Sequence, residues 1–235
     1  MSDTKSDYSL IVVGSGPGIG VHVASLFASR RFAKVALIAR DAKRLADDRA
    51  AVEAAAPIAR VKTYEADITD LHRLRDVMDQ IDRELGTVEC IFFNAARVRP
   101  SKLLEAGEDE MLYDYQITCT SLHVVAKWAM PQLIQLADKD RDAKPSLLIT
   151  SSLLPQQPEP DYFVLSMVKA AQRNMTQSLA KKFGPQGVHI ALVVVGGFVD
   201  PSEKKLNPKN IAEQTWSLFD QPRDAHKFEV EILDD

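Results

Sequence analysis

Cysteine is scarce in this chain of 235 residues, which contains only Cys90 and Cys119. Both lie within apolar segments, and neither has the spacing of a metal ligand. The five histidines show no metal-binding spacing either, so no metal site is predicted. From their apolar setting we interpret the two cysteines as reduced core thiols of a cytoplasmic protein.

Long hydrophobic runs and a surplus of positive charge are lacking as well. No segment approaches the roughly 18 consecutive apolar residues of a membrane-spanning helix. The N-terminal stretch MSDTKSDY is polar and does not resemble a signal peptide. The 33 acidic side chains outnumber the 29 lysines and arginines, which gives a net charge of −4. We therefore expect no membrane and no nucleic-acid partner, and a small molecule as the substrate.

Apolar runs alternate with longer amphipathic stretches along the whole chain. Continuous apolar runs are typical of strands buried on both faces, and strands separated by helices form parallel βαβ units. The sequence predicts one α/β domain over residues 1–235, a Rossmann-like doubly wound parallel sheet of about seven strands with helices on both faces. Residues 1–8 are expected to be flexible. The predicted helices cover 18–30, 41–56, 70–85, a single long helix over 108–137, 161–183 and a short one near 208–219.

A glycine-rich loop, VVGSGPGIGVHVA, follows the first predicted strand and opens onto the first helix. Glycines at 14, 18 and 20 permit a tight turn and let backbone N–H groups approach a phosphate, and the helix N-terminus adds its positive dipole end. An ordinary glycine-rich turn is the alternative, but this position in a doubly wound pattern favours dinucleotide binding. The predicted cofactor contacts in the loop are Gly14, Ser15, Gly18, Ile19 and Gly20.

The segment LIARDAKRL, at the end of the second predicted strand, bears on the choice of dinucleotide. An acidic residue at this tip usually selects NAD by bonding the ribose 2′-hydroxyl, but here Ala39 occupies the tip and Arg40 follows. Arginine pairs with a 2′-phosphate that an acid would repel. We interpret Asp41 as the N-cap of the next helix. NADP(H) is therefore predicted to bind in preference to NAD(H), with a solvated surface role for Arg40 as the alternative.

Four further segments follow in order: ADITD after the third strand, NAA after the fourth, ITSS in the fifth and SMVKAA in the following helix. Together with the glycine loop they make the chain resemble the short-chain dehydrogenase/reductase superfamily over nearly its whole length, although Val13 replaces that family's usual threonine. The resemblance implies further cofactor contacts, which are Asp67, Ile68, Asn94, Ala95, Ala96, Lys169, Gly196, Gly197 and Val199.

The resemblance also implies a catalytic set, from which this chain departs. Ser152 takes the place of the serine that positions a carbonyl group, and Lys169 that of the lysine that holds the ribose. Gln116 stands about where the family has an asparagine that anchors a water for proton relay. Leu165 occupies the position of the tyrosine that acts as general acid and base, and leucine carries no titratable proton.

Tyr162 is a candidate for a relocated proton donor. It precedes Lys169 by seven residues, so on one helix the two would share a face about 10.5 Å apart. With Asp161 as the N-cap, Tyr162 would be the first helical residue and would reach the mouth of the site. The alternative is that its ring packs against the loop LLPQQPEP.

Three functions are compatible with these residues. The first is an NADP(H)-dependent oxidoreductase that reduces a ketone or aldehyde with a non-standard proton donor. The second is an enzyme of the same fold that catalyses non-redox chemistry, and the third is a non-catalytic NADP(H)-binding protein. Fold alone does not choose among them.

Apolar side chains on two predicted helices suggest self-association. They give these helices more apolar surface than one sheet face needs, and the resemblance implies that such helices pair across a two-fold axis. We predict a homodimer or a homotetramer. The residues concerned are Met111, Ile117, Leu122, Val125 and Trp128 on the long helix and Val168, Met175 and Leu179 on the helix that carries Lys169.

Overall fold

The computed structural model describes residues 6–234, whose strands form one parallel sheet of seven strands in the order β3-β2-β1-β4-β5-β6-β7. The strand order reverses between β1 and β4, as in doubly wound sheets. This confirms the predicted fold class. The strands are β1 (Ser6–Val13), β2 (Phe32–Ala39), β3 (Arg60–Glu65), β4 (Val88–Phe93), β5 (Ser146–Ser152), β6 (His189–Val195) and β7 (Glu229–Ile232).

Helices cover both faces of this sheet, each over its own apolar core. One core joins the sheet to α1, α2 and α7, and the other joins it to α3, α5 and α6. Every residue of β4 and of β6 is buried, which explains why both strands are continuously apolar with few exceptions. The helices are α1 (Ile19–Arg30), α2 (Ala42–Ala55), α3 (Leu71–Leu85), α4 (Glu108–Tyr115), α5 (Ser121–Lys139), α6 (Phe163–Phe183) and α7 (Pro208–Phe219).

Glu89 is the charged residue among the apolar residues of β4, and its side chain is fully buried. Arg31, directly before β2, donates two hydrogen bonds to its carboxylate, at 2.9 Å from Nε and 2.6 Å from Nη2. The backbone N–H of Lys144 donates a third at 2.7 Å. These bonds compensate for the loss of water around the charge and fix the amino end of the sheet, opposite the glycine-rich loop.

The N-terminal prediction is wrong in part. Residues 6–8, expected to be flexible, belong to β1, and the Tyr8 hydroxyl donates a hydrogen bond to Asp140 Oδ2 at 2.9 Å. Residues 1–5 lie outside the described residues. Among residues 6–234, no helix combines the length and the apolar character needed to cross a membrane.

The predicted long helix over 108–137 is interrupted. A π-helical segment, Gln116–Thr120, separates α4 from α5, so one extra residue enters the turn and the side chains on either side change register. Sequence periodicity does not reveal such a change, because the backbone is helical on both sides of the segment, at Tyr115 and at Ser121. Segments of this kind often lie at functional sites.

Two predicted helix starts have different outcomes. Asp41 caps α2 as expected, because its side chain accepts a hydrogen bond from the Arg44 N–H at 3.0 Å. Asp161 does not cap α6, since the N-cap is Tyr162 and the first helical residue is Phe163. Tyr162 therefore lies just outside the helix.

The surface argument for self-association is also wrong for several residues. Ile117, Leu122, Val125 and Val168 are buried within the chain itself and leave no apolar surface for a partner. The remaining four, Met111, Trp128, Met175 and Leu179, are partly buried against the chain's own core clusters. The prediction of a homodimer or homotetramer must therefore rest on other residues.

Candidate active site

A cavity of about 500 Å³ lies at the carboxyl end of the sheet, where the strand order reverses. It brings together the glycine-rich loop, the tip of β2 and the segments that follow β3 and β4. Its lining comprises Gly14, Ser15, Ile38, Ala39, Arg40, Asp41, Arg44, Ala66, Asp67, Ile68, Asn94, Ala95, Ala96, Arg97 and Ile117. The predicted residues that do not line it are Gly18, Ile19, Gly20, Gln116, Ser152, Tyr162, Lys169, Gly196, Gly197 and Val199.

The glycine-rich loop is packed tightly against the segment that follows β4. Gly14 has a φ of 88°, and a Cβ atom there would lie 2.7 Å from the Ala95 nitrogen. The Asn94 side chain fixes the same contact, because its Nδ2 donates to the Gly14 carbonyl at 3.0 Å. The loop therefore requires glycine at position 14 for both its backbone conformation and its close approach.

The start of α1 is open to a ligand. Its N-cap is Gly18, which supplies no side-chain hydrogen bond, and a Cβ atom at Gly18 would meet nothing within 4 Å. The first backbone N–H groups of a helix carry partial positive charge and need acceptors. The loop and this helix start thus fit a phosphate group, which oxygen acceptors and negative charge would bind there.

Ser15 lines the cavity, but its hydroxyl already donates a hydrogen bond to a buried carboxylate. Its Oγ donates to Asp48 Oδ2 at 2.6 Å, and both residues are buried. Burial raises the pKa of Asp48, while the Ser15 hydrogen bond opposes that rise. The pair ties the loop to α2. The sequence did not identify Asp48, whose place on an otherwise exposed, alanine-rich helix is typical of a solvated acid.

Arg40 directly follows the tip of β2 and lines the cavity, with a side chain that is 63% exposed. Its Nη1 donates to the Tyr113 hydroxyl at 3.0 Å and lies 4.0 Å from Asp67 Oδ2. Arg44, one turn into α2, lines the same cavity. Two guanidinium groups at this end provide the charge and the donors that a phosphate monoester binds.

Arg97 adds a third guanidinium to the cavity lining. Its Nε donates to the buried Asp114 carboxylate at 2.5 Å, and its Cζ lies 5.3 Å from the centroid of the Tyr113 ring. The sequence did not identify Tyr113, Asp114 or Arg97. Arg97 directly follows the NAA motif, so its place at the end of β4 was a usable signal. The contacts of Tyr113 and Asp114 depend on how α4 docks, and the motifs do not encode that.

Two of the predicted catalytic residues, Ser152 at the end of β5 and Lys169 on α6, lie beyond this cavity. The Ser152 hydroxyl accepts a hydrogen bond from the Leu154 N–H at 3.3 Å, which leaves its own proton available for a ligand oxygen. Lys169 is buried, and its Nζ donates to the Thr150 carbonyl at 2.8 Å. Burial lowers the pKa of Lys169 to about 8. An ammonium group there still carries charge at neutral pH.

Leu165 is buried in a small apolar cluster with Val164 and Val168. No proton donor replaces it at this position of α6. Tyr162 packs against the same cluster, and its ring makes an edge contact with Phe198 at a centroid distance of 6.0 Å. Within residues 6–234 its hydroxyl has no hydrogen-bond partner. Leu154, from the loop LLPQQPEP, packs against the same cluster as Tyr162. This favours the packing alternative for the ring, while the hydroxyl is left free.

Gln116 is the first residue of the π-helical segment, and its side chain is already engaged. Its Nε2 donates to the Thr69 carbonyl at 2.7 Å, in the loop between β3 and α3. The amide nitrogen thus joins the π-helical segment to that loop. The amide oxygen and the second N–H of Nε2 are available to hold a water.

The two glycines after β6 pack against the C-terminal part of the chain. A Cβ atom at Gly196 would lie 2.7 Å from Leu233 Cδ2, and one at Gly197 would lie 2.7 Å from Leu206 Cδ1. Val199 packs against the core beneath α7. These three residues follow the end of β6, at the same edge of the sheet as Ser152, which pairs with Val195 in the neighbouring strand.

Comparison with known proteins agrees with this architecture. A family model described as Enoyl-(Acyl carrier protein) reductase matches residues 13–220. An uncharacterized oxidoreductase of Staphylococcus aureus strain N315 is 24% identical over 97% of this chain and 97% of its own length.

Solved structures show the same fold. A short-chain dehydrogenase from Rhodopseudomonas palustris has a TM-score of 0.84 at 20% identity, covering 98% of this chain and 100% of that one. The NADPH-bound structure of a short-chain oxidoreductase from Pseudomonas aeruginosa PAO1, described as containing an atypical catalytic center, has a TM-score of 0.84 at 23% identity. It covers 97% of this chain and 96% of that one.

Proposed function

The chain belongs to the short-chain dehydrogenase/reductase superfamily, and from that premise we propose that it is an NADP(H)-dependent oxidoreductase that reduces a ketone or aldehyde. The observation that carries this proposal is the cavity at the strand-order reversal, with the glycine-rich loop on one side and Arg40 at the tip of β2. Ligands of doubly wound sheets bind at this point.

The residues around the cavity fit a nicotinamide dinucleotide phosphate. The loop from Gly14 to Gly20 and the open start of α1 would hold the diphosphate through backbone N–H groups. Arg40 and Arg44 would hold the 2′-phosphate. Ile68 and Ala95 would contact the adenine and its ribose, and Asp67 would accept from the adenine amino group. The P. aeruginosa structure of the same fold contains NADPH, which supports this choice.

Carbonyl reduction adds a hydride at carbon and a proton at oxygen. When bound, the reduced nicotinamide supplies the hydride. Ser152 would donate a hydrogen bond to the carbonyl oxygen and so stabilise the negative charge that develops there. Lys169 would hold the nicotinamide ribose and contribute positive charge. The proton would come from Tyr162 or from water, since Leu165 has none to give, with Gln116 as a holder of that water through its amide oxygen.

The proposal is tested in two steps with the purified protein. Titration with NADPH and with NADH, followed by nucleotide fluorescence, measures the affinity for each. A panel of ketones and aldehydes is then added with NADPH, and the nicotinamide absorbance is followed. We expect oxidation of NADPH that depends on a carbonyl compound and falls about 100-fold in Ser152→Ala. NADPH binding without turnover of any panel member would favour the non-redox enzyme or the non-catalytic NADP(H)-binding protein.

A second candidate reaction is the reduction of a carbon–carbon double bond conjugated to a carbonyl group. Two observations favour it: the description of the matching family model as Enoyl-(Acyl carrier protein) reductase, and Leu165. Hydride addition to the β-carbon of the double bond generates an enolate, which would take up a proton from water at its α-carbon. This enolate is a weaker base than the alkoxide formed from a ketone. A strong acid beside the oxygen therefore matters less. An enoyl thioester and an α,β-unsaturated ketone in the panel distinguish the two reactions.

A further inference from the structure

Gln172 lies three residues after Lys169 on α6, and its side chain is fully buried. Its Oε1 accepts a hydrogen bond from Lys169 Nζ at 2.9 Å. Its Nε2 donates to the Thr118 carbonyl at 3.0 Å. One amide therefore connects the lysine ammonium group with the π-helical segment Gln116–Thr120.

In the part of the chain that the structure describes, no negatively charged side chain compensates the charge of Lys169. Its two acceptors, the Gln172 amide oxygen and the Thr150 carbonyl, are both neutral. Within residues 6–234, the titratable group that faces it is the Cys119 thiol, whose pKa burial raises to about 11. That thiol is uncharged at neutral pH. Hydrogen bonds from dipoles are therefore what stabilise this buried cation.

Two of the three ammonium protons are used by these acceptors, and one N–H remains. We propose that Gln172 is a positioning residue, whose amide fixes Lys169 Nζ between α6 and β5 and keeps it charged, with the remaining N–H directed to the cofactor ribose. The hydrogen bond to the Thr118 carbonyl fixes which amide atom of Gln172 faces Lys169, because only the amide nitrogen can donate to a carbonyl oxygen. The ribose contact rests on the proposed function, whereas the effect of Gln172 on Lys169 does not.

The proposal is tested by changing the charge and the acceptor of the side chain at position 172, which should change the pKa of Lys169. In Gln172→Glu, a carboxylate replaces a neutral acceptor beside the ammonium, so the pKa of Lys169 rises from about 8 by about 1 unit or more. In Gln172→Met, which keeps the length but removes the acceptor, the pKa falls further. Gln177→Glu is the matched control, because it makes the same change at an exposed position of the same helix.

The first measurement uses the cofactor-free protein. The ¹⁵N signal of Lys169 Nζ, assigned with Lys169→Met, is followed against pH. We expect a wild-type midpoint of about 8, a higher one in Gln172→Glu, a lower one in Gln172→Met and an unchanged one in Gln177→Glu. Equal midpoints in all four proteins would show that Gln172 only fills space, and would overturn the proposal. If Gln172→Glu does not fold, Gln172→Met decides.

The second measurement is NADPH affinity against pH. Lys169 loses its charge as pH rises through its pKa, so the wild-type affinity should fall above pH of about 8. The fall should move to higher pH in Gln172→Glu and to lower pH in Gln172→Met. If each substitution changed the NADPH affinity by the same factor at every pH, without moving the pH at which the affinity falls, the ribose contact would be overturned. If the NMR midpoints move as expected but the wild type does not bind NADPH, the proposed cofactor is wrong and the role of Gln172 stands.

Discussion

The Arg40 guanidinium donates a hydrogen bond to the Tyr113 hydroxyl, with 3.0 Å between Nη1 and Oη. The bond joins the tip of β2 to α4, and the Tyr113 ring also contacts the Arg97 guanidinium. The direction in which Arg40 points is therefore set by a residue on α4. The predicted preference for NADP(H), attributed to Arg40 from the sequence, is therefore expected to depend on Tyr113 as well.

Arg40→Ala should weaken NADPH binding about tenfold or more, because it removes a charge-assisted hydrogen bond to the 2′-phosphate. NADH binding should change little, since NADH has a hydroxyl in place of that phosphate. Tyr113→Phe should reduce NADPH affinity by a smaller factor, because Arg40 remains but loses its anchor. Fluorescence titration with both nucleotides measures this, with Arg49→Ala on the exposed side of α2 as the control. Equal loss for both nucleotides would contradict the role of Arg40.

The fold could be predicted from the sequence because its signals are local. Apolar runs such as those of β4 and β6, punctuated by glycine and proline, are sufficient to predict a parallel sheet. The glycine-rich loop and Arg40 also follow each other along the chain at recognisable spacing. The Arg40–Tyr113 bond joins residues 73 positions apart, and the Gln172–Thr118 bond joins residues 54 positions apart. No periodicity or motif contains that information, so the sequence predicts the residues that line the cavity better than the contacts around Lys169.

His189 and His226 stack face to face, with ring centroids 3.9 Å apart and planes 7° from parallel. Burial, followed by the charges of His189, Arg223 and Lys144, lowers the pKa of His226 to about 4. An unfolded chain binds this proton near the ordinary value of about 6.5. The stability contributed by neutral His226 is thus complete above a pH of about 6.5 and is lost as the pH falls towards 4.

We therefore expect the urea midpoint of unfolding to fall between pH 7 and pH 4.5 in the wild type, and to fall less in His226→Gln. The exposed His72, changed to Gln, serves as the control and should leave the pH dependence as it is. The same pH dependence in His226→Gln and the wild type would show that the stacked pair does not control acid stability.

The predicted self-association would depend on apolar residues that are exposed at the surface. Leu112 is 67% exposed and Tyr115 is 47% exposed, and both lie on α4. A homodimer or homotetramer should bury them, and Leu112→Glu should then dissociate it by placing a charge in an apolar contact. Light scattering at micromolar concentration measures the mass. Ile58→Glu, at another exposed apolar site, is the control. A wild-type monomer would contradict the prediction.

Tyr162 is the candidate for the proton donor of the site. Tyr162 Oη is free of hydrogen bonds within the described residues, whereas the Leu165 side chain is buried and inert. If Tyr162 donates the proton, Tyr162→Phe should reduce turnover of the best carbonyl substrate about 100-fold or more. Its ring contact with Phe198 should persist, so stability should change little. Steady-state rates with NADPH measure the effect, with Tyr115→Phe as the control.

Leu165→Tyr tests the same question from the other side, because it returns a phenol to the position one helical turn before Lys169. Turnover of simple ketones should rise, since the Lys169 charge nearby would lower the pKa of the new hydroxyl and make it a better acid. Leu165→Phe controls for the larger ring in this buried cluster and should give no gain. If Tyr162→Phe has no effect and Leu165→Tyr raises turnover, the natural reaction takes its proton from water. If neither change alters turnover, reduction of a conjugated double bond, whose enolate needs no strong acid, becomes the better explanation for Leu165.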